Sequence, residues 1–169
     1  MTIKKAYFFP TEARDDVLKA HGANAISATT FNSFAAISIG EVNRLCLAYP
    51  SFVRPVLATR FSDFIPYGKW TARDQRNAPH IKLIDQDECQ RIIRFVHDLI
   101  RAPESFTIFI NCSGGIARSS AVARFIHFAN QNSDEPDGLR KSIESPNKMV
   151  YDMLLTEWNA ALHGIVNAR

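Results

Sequence analysis

The chain has 169 residues, of which 46% are hydrophobic and 22% charged, and its formal net charge is +3. This size suits one globular domain over residues 1–169, and the lack of any stretch of about 18 apolar residues argues against a membrane span. The basic residues are scattered rather than clustered, a distribution that does not indicate nucleic-acid binding and mildly favours anionic substrates.

Hydrophobic periodicity predicts alternating helices and strands along the chain. The first helix has Pro10 or Thr11 at its start and Gly22 beyond its end, which are residues that favour helix termini. A turn is expected at residues 136–138, where proline and glycine flank an aspartate. The predicted elements in chain order are a helix at 11–20, strands near 34–39 and 55–61, a helix at 87–100, a strand at 106–111, and helices at 119–129, 137–144 and 147–163.

Residues 63–85 form the longest predicted connection, because they show no sustained period and contain Pro66, Gly68, Asn77 and Pro79. Long connections inside compact domains are usually functional. The alternation of strands and helices around this connection predicts an α/β fold. We expect a central, mostly parallel sheet flanked by helices.

The segment from Cys112 to Ser119, Cys-Ser-Gly-Gly-Ile-Ala-Arg-Ser, lies between a predicted strand and a predicted helix. A strand that enters a loop of small residues and then a helix directs several backbone N–H groups at one point, which makes an anion-binding site. Gly114 and Gly115 allow the loop to turn tightly and approach a ligand closely. A thiol at one end and the guanidinium of Arg118 at the other suit cleavage of a phosphate ester through a cysteine.

The charge of the thiol decides whether it can attack, since only the thiolate is nucleophilic. Helix N-terminal amides and Arg118 favour the negative form of Cys112, so we expect a thiolate at neutral pH. Arg118 is also expected to bind two phosphate oxygens at once. Cys46 and Cys89 have neither a glycine loop nor a matching arginine and stand in apolar, helix-like contexts, so core packing is predicted for both.

The segment resembles the signature of the protein tyrosine phosphatase superfamily, His-Cys-x-x-Gly-x-x-Arg-Ser/Thr, which Cys112, Gly115, Arg118 and Ser119 match position by position. The likeness is to compact, dual-specificity-like phosphatases of bacterial and phage type, and it extends over about residues 34–155. It implies a phosphatase-like fold with the signature loop between a strand and a helix. It also implies a phosphate-binding loop made of Ser113, Gly114, Gly115, Ile116 and Ala117 together with Arg118.

The resemblance implies roles for the residues around this loop. Cys112 would form a phosphocysteine, and Ser119 resembles the hydroxyl that aids its breakdown, with a helix cap as the alternative for Ser119. The chain departs from the family at Asn111, which stands where the signature has histidine. Asparagine can still donate and accept hydrogen bonds but carries no charge. We therefore expect a working site with a less strongly stabilised thiolate.

Protonation of the leaving oxygen requires a carboxylic acid, usually on a movable loop. Asp63 follows the strand near 55–61 directly and best matches the family's general-acid position. Asp74 is the second choice, because it is nearer to the signature in sequence and lies in the same long connection. Asp85 is expected to be the N-cap of the next helix instead.

These residues predict a cysteine-dependent phosphoric monoester hydrolase of the protein-tyrosine-phosphatase or dual-specificity type. Its expected substrates are proteins that carry phosphotyrosine, phosphoserine or phosphothreonine, or small phosphomonoesters. The signature loop contains no lysine, unlike loops that resemble those of phosphoinositide phosphatases. The alternative is a catalytically weak, phosphate-binding pseudophosphatase or interaction module. The sequence does not identify the oligomeric state.

No cofactor, metal, nucleic-acid or membrane partner is predicted. The five histidines show no metal-ligand spacing, and the glycine loop lacks the Gly-Lys-Ser/Thr of nucleotide-binding loops. The first residues lack the apolar stretch of a signal peptide, and three irregularly spaced cysteines favour reduced thiols over disulfides. We therefore expect a cytoplasmic protein.

Overall fold

A five-stranded parallel sheet forms the centre of the protein, for which a computed structural model describes residues 3–131 and 134–167. The strands and helices in chain order are β1 (Ile3–Pro10), a 3-10 turn (Thr11–Ala13), α1 (Arg14–Ala20), β2 (Asn32–Gly40), β3 (Val53–Arg60), α2 (Ala72–Asn77), α3 (Gln86–Arg101), β4 (Ser105–Cys112), α4 (Arg118–Ala129), β5 (Asp137–Gly138), a 3-10 turn (Lys141–Ile143) and α5 (Lys148–Asn167). The order across the sheet is β3-β2-β4-β1-β5. The predicted α/β class with a mostly parallel sheet is confirmed.

The sheet is covered on both faces, as parallel sheets require. One face packs against α3, α4 and α5 and carries the larger apolar cluster, which includes Phe8, Ile110 and Phe125. The other face packs against α1 and the connection between β2 and β3, through residues that include Phe34 and Phe109. As a result β4, which lies between β2 and β1, is the most enclosed strand, and its carboxyl end is fixed from both sides.

The longer predicted elements are confirmed within one or two residues at most ends. Helix α3 begins with Asp85 as its N-cap, as expected, and its apolar stripe is buried at Ile92, Ile93 and Val96. Helix α1 lies inside the range predicted for the first helix. In the part of the chain that the structure describes, no helix is both long enough and apolar enough to cross a membrane.

Three parts of the prediction were wrong. Strand β1 was missed, although it supplies a central neighbour of β4. The turn predicted at 136–138 contains β5, which adds to the sheet edge beside β1. The helix predicted at 137–144 is only the short 3-10 turn Lys141–Ile143. Asp137 and Gly138 adopt their conformation by pairing with Tyr7 and Phe8 of β1 rather than through a period of their own.

Residues 63–85 do not form an unstructured connection, because α2 lies within them. Two hydrogen bonds between Ser62 and Lys82 join the beginning of this connection to a point near its end. The distances are 2.7 Å from Ser62 N to Lys82 O and 3.0 Å from Lys82 N to Ser62 Oγ. Closing the base of the loop in this way fixes where Asp63 leaves the sheet.

Candidate active site

The candidate site lies where the strands of the sheet end. Because all strands are parallel, their carboxyl ends meet at one edge, the usual location of ligand sites in such sheets. Each strand is followed there by a polar or reactive residue: Thr11 after β1, Glu41 after β2, Asp63 after β3, Cys112 at the end of β4 and Arg140 after β5. Cys112 lies at the centre of this set and is 2% exposed.

In the loop between β4 and α4, three carbonyl groups accept hydrogen bonds from the protein, whereas the N–H groups have no partner in the described part of the chain. Among the described residues, none of the backbone N–H groups from Ser113 to Ala117 donates a hydrogen bond to another protein group. The loop carbonyls accept hydrogen bonds from surrounding residues: Gly114 from Arg140 Nη1 at 3.4 Å, Ile116 from Ser145 N at 3.2 Å and Ala117 from Asn147 N at 3.1 Å. Unpaired donors of this kind at a helix start form an anion-binding site.

Gly115 makes this loop conformation possible. Its φ is +62°, in the left-handed region that favours glycine, and a Cβ at this position would overlap the backbone of Phe9 and Pro10 at the end of β1. The close approach of Gly115 to β1 therefore sets the path of the loop next to Cys112.

Arg118 is the first residue of α4 and is 4% exposed, so it is not a solvated helix-end arginine. Its Nη1 donates to the carbonyl oxygen of Phe61 at 2.8 Å, and its Nη2 forms an ion pair with Glu41 Oε1 at 2.7 Å. Glu41 also accepts a hydrogen bond from Ser113 Oγ at 3.4 Å. These contacts fix the guanidinium beside the loop instead of leaving it free in solvent.

Ser119 contacts the sulfur of Cys112. The Oγ of Ser119 lies 3.1 Å from Cys112 Sγ, and the backbone N–H of Ser119 donates to the same sulfur at 3.4 Å. Ser119 is fully buried, and Ala117, not Ser119, is the N-cap of α4. The backbone N–H of Ser119 therefore donates to Cys112 Sγ, and a second hydrogen bond joins this sulfur to the Ser119 hydroxyl, in which either atom can be the donor.

Asn111 occupies a neutral hydrogen-bond network behind the loop. Its Oδ1 accepts from Tyr49 Oη at 2.8 Å, and its Nδ2 donates to Thr11 Oγ1 at 3.0 Å. Burial raises the pKa of Tyr49, so this phenol stays protonated and acts as the donor. The expectation that asparagine both donates and accepts here is confirmed, and the side chain joins β4 to the 3-10 turn after β1 and to the connection after β2.

Asp63 and Asp74 have different surroundings. Asp63 is exposed, and its Oδ1 accepts a hydrogen bond of 2.7 Å from Asn147 Nδ2. Asp63 follows Phe61, whose carbonyl binds Arg118, so the backbone of this segment is anchored at the candidate site. Asp74 instead forms a capping box with Thr71 at the start of α2.

The hydrogen bonds from Thr71 lower the pKa of Asp74 below its ordinary value. These hydrogen bonds favour the ionised form of Asp74 and commit its carboxylate to the capping box of α2. Asp85 is equally committed, since its Oδ1 accepts from Glu88 N at 2.8 Å as the N-cap of α3. These structural roles leave Asp63 as the favoured acid candidate.

The other cysteines lie apart from this arrangement. Cys89 is fully buried on α3, and burial raises its pKa to about 12, in agreement with the predicted core packing. The prediction for Cys46 was wrong in part: it is half-buried in the irregular connection after β2, not in a helix, and its Sγ lies 3.5 Å from Thr59 O.

The aromatic residues of the long connection pack mainly with each other. Phe64 and Trp70 form an edge-to-face pair with ring centroids 5.3 Å apart, and Trp70 Nε1 donates to Gln75 Oε1 at 3.0 Å. Tyr67 is fully exposed. The pair therefore stabilises the loop that begins at Asp63.

Sequence reasoning missed Glu41, Asn147 and Tyr49. A signal existed for Glu41, which directly follows the strand that pairs with the strand of Cys112. Asn147 is the first residue of the helix predicted at 147–163 and could have been recognised as a cap. Tyr49 had no signal, because its contact with Asn111 spans 62 positions and depends on the folded sheet.

Comparisons of this chain with known protein families, with curated proteins and with solved structures find no significant match. Among the described residues, no group of three or more His, Cys, Asp or Glu side chains is placed to bind a metal ion. The arrangement offers a thiol, a fixed guanidinium, unpaired N–H donors and one exposed carboxyl group. Together these groups suit the transfer of an anionic group to the sulfur of Cys112.

Proposed function

We propose that the protein is a cysteine-dependent phosphatase that hydrolyses phosphomonoesters through a phosphocysteine intermediate. The observation that carries this proposal is the run of unpaired N–H groups from Ser113 to Ala117, bounded by the buried thiol of Cys112 and the buried guanidinium of Arg118. A loop of N–H groups without protein partners, at the start of a helix and beside a buried cation, favours a bound anion.

In the first step, Cys112 Sγ forms a bond to phosphorus while the bond from phosphorus to the leaving oxygen breaks. Arg118 and the loop N–H groups bind the phosphoryl oxygens and stabilise charge as it shifts in transfer. The carboxyl group of Asp63 gives its proton to the leaving oxygen, so an alcohol or phenol departs rather than an alkoxide or phenolate.

In the second step, a water oxygen attacks phosphorus and the sulfur–phosphorus bond breaks. The carboxylate of Asp63 accepts the proton of the water, and the electron pair of the broken bond returns to Cys112 as thiolate. Ser119 Oγ lies 3.1 Å from that sulfur and can donate to it as the charge returns. Inorganic phosphate is the second product.

We propose phosphotyrosine, and phosphoserine or phosphothreonine peptides, as the default substrates, with small phosphomonoesters as accessible alternatives. The absence of lysine in the loop gives no preference for polyphosphorylated lipids. The free cysteines support a reducing compartment such as the cytoplasm.

Turnover of p-nitrophenyl phosphate in the presence of EDTA tests the proposal. The wild-type chain should release phosphate without added metal, and rapid denaturation during turnover should trap phosphate on Cys112, detectable by mass spectrometry of the peptide. A chain that binds inorganic phosphate but shows neither turnover nor phosphoenzyme would be a phosphate-binding module, and the enzyme proposal would fail.

The assignment of the acid predicts a selective effect of Asp63→Ala. We expect kcat/KM for phenyl phosphate to fall by about 10²-fold, because phenolate is a strong base whose departure needs a proton. The loss for p-nitrophenyl phosphate should be much smaller, since its leaving group departs without help. Asp74→Ala, the comparison variant, removes part of the capping box of α2 and should lower the melting temperature. It should leave the ratio of kcat/KM for phenyl phosphate to kcat/KM for p-nitrophenyl phosphate unchanged. The reverse pattern would make Asp74 the acid.

A further inference from the structure

Asn147 is 3% exposed, and all of its polar groups have hydrogen-bond partners. Its backbone N–H donates to Ala117 O at 3.1 Å, and its backbone carbonyl accepts from Tyr151 N at 3.1 Å. Its side-chain Oδ1 accepts from Val150 N at 3.1 Å, and its Nδ2 donates to Asp63 Oδ1 at 2.7 Å. One buried residue therefore joins three parts of the fold: the phosphate loop, the start of α5 and the acid candidate.

The orientation of the Asn147 amide follows from these partners. The backbone N–H of Val150 can only donate, so the side-chain atom that faces it must be the oxygen. The opposite end of the amide, which faces Asp63, must then be the NH2 group. Asp63 Oδ1 is consequently an acceptor whether the carboxyl group is ionised or protonated.

We infer that Asn147 is a positioning residue that fixes which oxygen of Asp63 carries the catalytic proton, an inference that rests on the function proposed above. A carboxylic acid accepts hydrogen bonds best through its carbonyl oxygen and carries its proton on the other oxygen. The contact from Asn147 keeps Oδ1 in the carbonyl role. The proton is left on Oδ2, the oxygen available to the leaving group and, in the second step, to the attacking water.

The same residue fixes the distance between the acid and the phosphate loop. Its backbone N–H binds Ala117 O, immediately before Arg118, while its side chain binds Asp63. Asp63 itself is exposed, and without this contact its carboxyl group would rotate freely in solvent. A proton donor misplaced by about 1 Å costs on the order of 10²-fold in rate, so such a link has a kinetic consequence.

Two substitutions separate positioning from folding. Asn147→Ser keeps an oxygen that can cap α5 but is too short to reach Asp63. Asn147→Asp keeps the cap and the length but shares the proton between two carboxyl groups, which withdraws it from the leaving oxygen. For both variants we expect kcat/KM to fall about 10-fold or more for phenyl phosphate and much less for p-nitrophenyl phosphate.

The decisive measurement is a double-mutant cycle with Asp63→Asn. If Asn147 acts through the acid, adding Asn147→Ser to Asp63→Asn should cause no further loss on phenyl phosphate. If Asn147 only supports the fold, Asn147→Ser should lower kcat/KM by the same factor in the Asp63→Asn background as in the wild type. That factor should also be equal for both leaving groups. The second result would overturn the inference.

Asn24→Ser is the matched control, because Asn24 Oδ1 also accepts backbone N–H groups, from Ile26 and Ser27 at 2.9 Å, in a turn before the amino end of β2. It should leave the ratio of kcat/KM for phenyl phosphate to kcat/KM for p-nitrophenyl phosphate unchanged. If the wild-type protein turns over both substrates and Asn147→Ser lowers kcat/KM equally for the two leaving groups, the positioning role alone is refuted. Absence of wild-type turnover and of phosphoenzyme would refute the proposed function, and the positioning role with it.

Discussion

Replacing Cys112 by serine is expected to lower phosphate-ester turnover at least about 10⁴-fold, the scale on which loss of an enzyme's nucleophile acts. A serine hydroxyl is not ionised at neutral pH and has no neighbouring base among the contacts of Cys112, which are the hydroxyl and backbone N–H of Ser119. Sulfur and oxygen differ little in size, so the buried position should accept the change without collapse of the loop. The measurement is steady-state hydrolysis of p-nitrophenyl phosphate with EDTA, together with phosphoenzyme trapping.

Cys112→Ser should retain phosphate binding, because Arg118 and the loop N–H groups remain. A rise in melting temperature with added inorganic phosphate would show this retained binding. Cys46→Ser is the matched control, since Cys46 is a half-buried thiol outside the loop. Turnover that survives in Cys112→Ser, or is lost equally in Cys46→Ser, would contradict the nucleophile assignment.

The elements that the sequence predicted well are those whose periodicity matches their final surroundings. Helix α3 has an apolar stripe that can be buried on only one side, and the structure buries it there. Helix α2 was missed because it is six residues long and has no buried residue, so its sequence shows no apolar stripe. Its only sequence signal is the capping box formed by Thr71 and Asp74. Strand β1 was missed because its two lysines and a register shift near Ile3 interrupt the alternation of apolar residues.

The candidate site was predictable only where its residues are neighbours in sequence. Cys112, Arg118 and Ser119 belong to one strand–loop–helix unit, so their spacing already determined their proximity. The residues that orient them come from distant strand ends and helix starts, as Glu41 and Asn147 do. Their contacts depend on the order of strands in the sheet, which no local pattern in the sequence encodes.

Gly115→Ala is expected to disable the loop as a whole. The substitution forces a residue with a side chain into the left-handed region and drives a Cβ into the backbone of Phe9 and Pro10, which cannot move without displacing β1. The combined cost to the free energy of unfolding should be about 3 kcal/mol. Because several donors to the phosphoryl group shift together, we expect kcat/KM to fall about 10³-fold.

Gly114→Ala provides the matched control one residue earlier in the same loop. Gly114 has no positive φ, and the nearest atom to a Cβ placed there is Ile116 Cδ1 at 4.0 Å, which is ordinary contact. Thermal unfolding and p-nitrophenyl phosphate turnover of the two variants should therefore diverge, with only Gly115→Ala strongly impaired. Equal tolerance of both substitutions would mean that the close approach of Gly115 to β1 does not determine the shape of the loop, and the anion site would then need another origin.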